Sequence, residues 1–413
     1  MIEEIRAHFN NAGQLEKMYR NNKLNFKKNF SLLYPELKGS PIADFWNARL
    51  HYENEEINWG SRGELLMVII ASLIAGFIAK LPSIISVSEE YFYPRNVGFI
   101  IFPLLTAYFA WKNQLSTGKI VIMAALTLAG LIFINSLPGI ENSNTTVLSC
   151  IHLILFLWSI MGFAFVGAYK NAYEKRLEYL RYNGDLVVIT TLILIAGVIL
   201  SGITIGLFSL LGYQIEQFYF ENIVVFALPA APIIGTYLTQ TNPQLVGKVS
   251  PVIARIFSPL VLIMLVIYLI AMVYSAKDPY NDRDFLIIFN ALLVGVMAII
   301  FFSVAKTSES TAKAEIWILF MLSIATLIVN TIALSAILFR ISEWGITPNR
   351  AAVLGGNILI LLNLVLVTTK LFKVLVKKGT LNGVERAIAA YLPVYCIWTV
   401  IVTFIFPVVF GFK

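Results

Sequence analysis

Residues 65–84 read LLMVIIASLIAGFIAKLPSI, an apolar run whose one charge is Lys80. A helix needs about 20 predominantly apolar residues to cross the hydrocarbon of a bilayer, so this stretch reads as a membrane-spanning helix. The rest of the chain has the same character. Of its 413 residues 58% are hydrophobic and only 13% charged, and the mean hydropathy is +0.78. Soluble domains carry about 25% charged residues. A chain of this length would otherwise split into two or three such domains, and too few charges are present to cover them. The composition therefore predicts an all-α, polytopic membrane helical bundle.

Working outward from 65–84, ten further apolar runs reach helical span length or come close to it: 97–111, 120–136, 147–168, 186–213, 223–238, 256–274, 285–304, 316–339, 351–371 and 391–410. That makes about 11 predicted transmembrane helices. The second and sixth are short, and the sixth carries Pro229 and Pro232, which predict a broken or kinked helix. Lys and Arg accumulate in cytoplasmic loops. With the N-terminus inside, 24 of the 31 Lys and Arg fall on the inner side, six outside, and Lys80 within the first span. Treating 223–238 as re-entrant would reverse that bias for every later loop. The charges thus predict an N-terminus inside and a C-terminus outside. The first span follows a long polar and amphipathic segment, so it reads as a retained helix and not as a cleaved signal peptide.

Two domains are expected, 1–63 and 64–413. In the first, Ser40 and Pro41 make a helix start, after which Ile42, Phe45, Trp46 and Leu50 share one apolar face. Upstream, Lys23, Lys27 and Lys28 alternate with Leu24, Phe26 and Phe30. Bases beside aromatics suit an interfacial anchor on anionic lipid; a cytosolic module that binds a protein partner is the alternative. The inner segment 170–185, KNAYEKRLEYLRYNGD, reads as a cytosolic extension of the fourth span with Tyr173, Leu177 and Leu180 on one side. The net charge of +7 is accounted for by inner-loop bases and calls for no nucleic acid.

Chemistry-bearing motifs are sparse. The chain has no P-loop, no H-E-x-x-H and no G-x-S-x-G elbow, which argues against ATP hydrolysis, a zinc site and a serine nucleophile. His8, His51 and His152 are scattered, and Cys150 and Cys396 are expected as free thiols near opposite membrane faces. No catalytic residue, metal site or cofactor is predicted. Lys80 is expected to reach outward, towards Glu89 or Glu90, and Asp185 to mark the start of a helix. Uncharged polar residues are more frequent late in the chain: Asn290, Asn330, Thr331, Asn357 and Asn363 lie within predicted spans. In lipid they must find partners, so they face the bundle interior, either as interhelical adhesion or as the wall of a polar pathway.

The most distinctive outer loop is Arg340-Ile-Ser-Glu-Trp-Gly-Ile-Thr-Pro-Asn-Arg350. Arg340 and Arg350 are two of the six outer bases, and Glu343 can neutralise one of them. Thr347 and Pro348 can start the next helix, at whose N-terminus Asn349 and Arg350 would suit an anionic headgroup or carboxylate. A structural clasp is the other reading. Candidate ligand-binding residues are accordingly Arg340, Glu343, Asn349, Arg350, Asn330 and Asn357.

The motif EWGITPNR at 343–350, followed by the apolar run 351–371, resembles the hallmark of the bacterial inner-membrane family catalogued as domain of unknown function 4153. The usual form has Tyr where this chain has Trp344 and Leu where it has Ile346. RIFSPLVL at 255–262 and IYLI at 267–270 resemble that family's central helix. QLEKMYR at 14–20 and PIADFWNAR at 41–49 resemble members from Bacteroidetes-type bacteria. The resemblance implies a multi-pass location in the bacterial inner membrane and carries no activity with it.

Three functions remain open. The leading one is a membrane protein that binds or moves a small or amphiphilic solute without ATP hydrolysis. The alternative is a scaffold or sensor subunit of an envelope assembly, and the least supported is an intramembrane enzyme. Expected partners are membrane lipids, a small-molecule or lipid ligand, and a protein partner through the N-terminal segment.

Overall fold

The structure is a computed structural model describing all residues except 1, 22, 53–59, 140–142, 168–171, 211–213, 244–257, 264, 268, 271–282, 307–312 and 413. The described residues are helical and form two compact units, Met1–Asn58 and Trp59–Lys413.

The first unit contains four short helices, α1 (Ile2–Ala7), α2 (Ala12–Asn21), α3 (Lys23–Leu37) and α4 (Pro41–Tyr52). They close around their own core of Ile5, Leu15, Tyr19, Phe26, Phe30, Leu33, Ala43, Trp46 and Leu50. Trp46 sits at its centre, with ring centroids 5.5 Å from Tyr19 and 5.1 Å from Phe26. Arg49 lies 5.0 Å over the Trp46 ring and pairs with Glu16 at 3.0 Å. The apolar face assigned from sequence to lipid is therefore turned inward, apart from Phe45, which is 61% exposed. Aromatic side chains supplied by three different helices cover one another better than the four-residue stripe alone suggests.

The second unit is a helical bundle. Its elements are α5 (Arg62–Ile85), α6 (Glu89–Lys112), α7 (Thr117–Ser136), α8 (Asn144–Val166), α9 (Ala172–Leu210), α10 (Glu216–Thr241), α11 (Arg283–Lys306), α12 (Lys313–Trp344), α13 (Pro348–Leu375) and α14 (Leu381–Val409). Among the described residues eight helices are long and apolar enough to cross a membrane: α5, α7, α8, α9, α10, α12, α13 and α14. Of the other expected spans, 97–111 lies inside α6 and 285–304 inside α11. The expected span 256–274 lies partly outside the described residues, and Ser258–Ile267 within it is a shorter apolar helix.

Among the described residues two large apolar cores hold the bundle, beside a small one of Ala352, Val402 and Phe406. One joins α5, α6, α7, α8, α9 and α10 through residues such as Phe99, Phe109, Leu157, Tyr182 and Tyr237. The other joins α11, α12, α13 and α14 through Ile300, Leu322, Val329, Leu364 and Ile388. Close helix approach is bought with glycine. A Cβ on Gly76 would stand 2.1 Å from the Phe226 ring, and one on Gly355 2.0 Å from the Trp398 ring. Small residues let backbones approach where lipid supplies no hydrophobic drive.

Three local expectations are corrected. The segment after α8 does not extend that helix, because Gly167 ends it at φ +65°. Residues from Ala172 onward instead begin α9, which runs through Gly184 and Asp185 without a break. Asp185 is thus mid-helix and starts nothing. In α10 the irregularity is a π turn at Phe220–Val224, upstream of Pro229 and Pro232, while Val225–Thr241 stays helical around both prolines. A second π turn, Ile401–Ile405, interrupts α14 before Pro407.

Candidate functional site

The outer loop is organised by one indole. Trp344 ends α12, and Gly345 turns the chain at φ +75°. Thr347 then caps α13, its hydroxyl accepting from the Arg350 N–H at 3.3 Å. Arg340 and Arg350 both lie over the Trp344 ring, at 5.3 and 5.6 Å. Arg350 Nη1 also donates to the Trp344 and Gly345 carbonyls at 2.8 and 2.7 Å. These are orphan acceptors of a helix C-terminus, and a guanidinium suits both the carbonyls and the dipole. These contacts close the loop on itself. Glu343 is exposed and forms no ion pair among the described residues. Asn349 donates to Asn144 Oδ1 at 3.0 Å and so ties the start of α13 to the start of α8.

Asn330 and Asn357 belong to a different place. Asn330 is wholly buried, Asn357 is 2% exposed, and Asn330 Nδ2 donates to the Asn357 carbonyl at 3.3 Å. Asn357 lies two turns along α13 from Arg350, about 10 Å at 1.5 Å per residue. One turn and a half further, Asn363 donates to Tyr395 OH at 3.0 Å, and that hydroxyl donates to Met297 Sδ at 3.6 Å. Ser323 and Thr326, buried on the same face of α12 as Asn330, give their hydroxyl protons to carbonyls of their own helix. Three amide atoms in this layer, Asn330 Oδ1, Asn357 Nδ2 and Asn363 Oδ1, are buried with no hydrogen-bond partner. Each such atom costs about 1–3 kcal/mol. The six candidate residues therefore divide: Arg340 and Arg350 meet at Trp344, Asn330 and Asn357 meet in the bundle, Asn349 goes to α8, and Glu343 stands apart.

Sequence reading missed three charged groups. Glu64 is 9% exposed and accepts from Tyr108 OH at 2.6 Å and from Lys112 Nζ at 3.0 Å; Lys112 also donates to the Tyr108 oxygen at 3.1 Å. The Ser61 hydroxyl accepts from the Glu64 N–H at 3.1 Å, half of a capping box. Ser61-x-x-Glu64 was the visible signal. Beside this trio a cavity of about 460 Å³ opens among Glu64, Trp111, Lys112, Gln114, Leu115 and Ile120. Arg95, just ahead of the predicted span 97–111, is 2% exposed; it donates to the Pro138 carbonyl at 2.7 Å and lies 4.2 Å over Tyr91. Arg181 donates to Glu385 at 3.0 Å and to the Ala305 carbonyl. No motif announces either arginine.

Lys80 does not reach outward to Glu89 or Glu90. It donates to Asn222 Oδ1 within the π turn of α10. His152 Nδ1 contacts the Leu148 carbonyl of its own helix at 2.9 Å. Cys150 and Cys396 are free thiols. No protein-family model, curated protein sequence or solved structure matches the chain.

Proposed function

We propose that this protein binds or moves a small or amphiphilic solute through its helical bundle without ATP hydrolysis. The observation that carries this reading is the buried amide layer between α12, α13 and α14, where Asn330, Asn357 and Asn363 keep unpartnered polar atoms in an apolar span. Adhesion alone would favour closed pairs, because an open donor or acceptor in hydrocarbon is costly. A polar solute passing or resting there would supply the missing partners. The π turns in α10 and α14 supply the local irregularity that often accompanies such sites. In the same proposal the chain makes eleven passes through a bacterial inner membrane, N-terminus inside and C-terminus outside. The charge bias of the loops and the family resemblance of 343–350 support that placement.

The test is purification in detergent with mass spectrometry of co-purifying small molecules and lipids, on wild type, Asn357→Leu and Arg350→Ala. Loss of a bound species in Asn357→Leu, with thermal stability kept, supports the reading. Identical bound species in all three proteins overturn the assignment. Fusion of a periplasm-active reporter to the C-terminus tests the topology, and an expressed but inactive reporter sinks it.

A scaffold or sensor role is the second reading. The separate core of Met1–Asn58 favours it, since such a unit can present Leu32 and Phe45, 62% and 61% exposed, to a protein partner.

A further inference from the structure

The cavity at the start of α5, the end of α6 and the start of α7 lies at one boundary of the apolar helices and takes no part in the amide layer. Its polar wall is the Lys112 ammonium with the Glu64 carboxylate paired to it at 3.0 Å, and the Gln114 amide. Of the ammonium's three donors, Glu64 and Tyr108 take two and hold the group in place, and 31% of the side chain stays exposed. The opposite wall is apolar. Trp111 is 49% exposed, Ile120 41%, and Leu115 completes it. Residues 61–64 and 110–120 together carry three bases, Arg62, Lys112 and Lys119, against one acid, Glu64. Between α6 and α7 the chain turns through Gln114 at φ +48°, which brings Ile120 back beside Lys112.

We infer that this cavity is a binding site for the phosphate headgroup of an anionic membrane lipid, with Lys112 as the phosphate contact and Trp111 and Ile120 against the acyl chain. A fixed ammonium with one donor to spare suits a phosphate oxygen. Tryptophan and lysine are the side chains that settle at the headgroup level of a bilayer. The exposed apolar wall favours a lipid over free phosphate, because only hydrocarbon gains by covering it. The inference is independent of the proposed solute pathway between α12 and α13, and neither stands or falls with the other.

The protein is placed in phosphatidylcholine nanodiscs holding a minor fraction of brominated phosphatidylglycerol or brominated phosphatidylcholine. Quenching of Trp111 is read as the difference between wild type and Trp111→Phe. A single cation near the surface attracts an anionic lipid about fivefold, so brominated phosphatidylglycerol should quench at about one fifth the mole fraction. Lys112→Gln should abolish the preference. Leu115→Phe should do so too by filling the cavity, and it leaves the Glu64–Lys112 pair intact should Lys112→Gln misfold. Equal quenching by the two lipids overturns the inference, as does a preference that persists in Leu115→Phe. Removal of the preference by inorganic phosphate would assign the site to a free anion and overturn the lipid assignment.

Discussion

Arg181 and Glu385 stand 3.0 Å apart across 204 positions of sequence, and Arg181 also donates to the carbonyl of Ala305. One guanidinium thereby links α9, α14 and the last turn of α11. A cation near a helix C-terminus meets the negative end of the helix dipole, so the contact with Ala305 is favourable before Glu385 is considered.

Removal of that cation should destabilise the bundle. Arg181→Ala leaves Glu385, whose side chain is 17% exposed, without its partner. The loss should be about 1–3 kcal/mol, below the value for a fully buried pair because Arg181 is itself partly exposed. Arg181→Met with Glu385→Leu should recover much of it. Thermal unfolding of wild type, Arg181→Met, Glu385→Leu and the double variant in detergent gives the double-mutant cycle, and additivity of the two single changes would refute the pairing.

The contact of Gly355 with Trp398 predicts a size-dependent clash. A methyl group on Gly355 would meet the indole at 2.0 Å, so Gly355→Ala should cost about 1–3 kcal/mol. Trp398→Leu in the same chain should restore most of the loss. Unfolding midpoints in one detergent check both statements.

Met1–Asn58 has its own core, and a fragment of residues 1–58 should fold. Dispersed amide resonances are expected for it. Trp46→Ala should abolish that dispersion, since truncating a buried Trp costs about 3–5 kcal/mol and a domain this small holds little more. Phe45→Ala, at an exposed position, should leave the spectrum intact.

Acid should weaken the same unit through Glu16. The hydrogen bond from Arg20, with the nearby charge of Arg49, holds its carboxyl below the usual carboxylate range against a smaller opposing effect of burial. A depressed folded-state pKa means stability present above the unfolded value and lost as pH falls through the folded one. For a partly exposed surface pair the contribution is at most about 1 kcal/mol. Fragment stability should therefore decline below about pH 4.5, near the unperturbed carboxylate value. Glu16→Gln should be less stable near neutrality and lose less on acidification; an unchanged acid profile in Glu16→Gln would contradict the assignment.

Sequence alone determined the class of this protein and most of its elements. The run 65–84 becomes α5, Thr347-Pro348 starts α13, and eight apolar runs become helices of spanning length. Apolar length, capping residues and proline act locally, within a turn or two of where they are written. What the tertiary structure decided is partnership. Trp46 faces a protein core and not lipid, Lys80 meets Asn222 and not Glu89, Arg350 closes its own loop, and Glu64 finds Tyr108 and Lys112 at the far end of the next helix. Periodicity tells which face of a helix is apolar, but all faces of these helices are apolar, so it cannot tell which neighbour each will meet. That choice is made by close packing between helices, by glycines such as Gly76 and Gly355 that let one ring approach one backbone. The polar pairs follow from it.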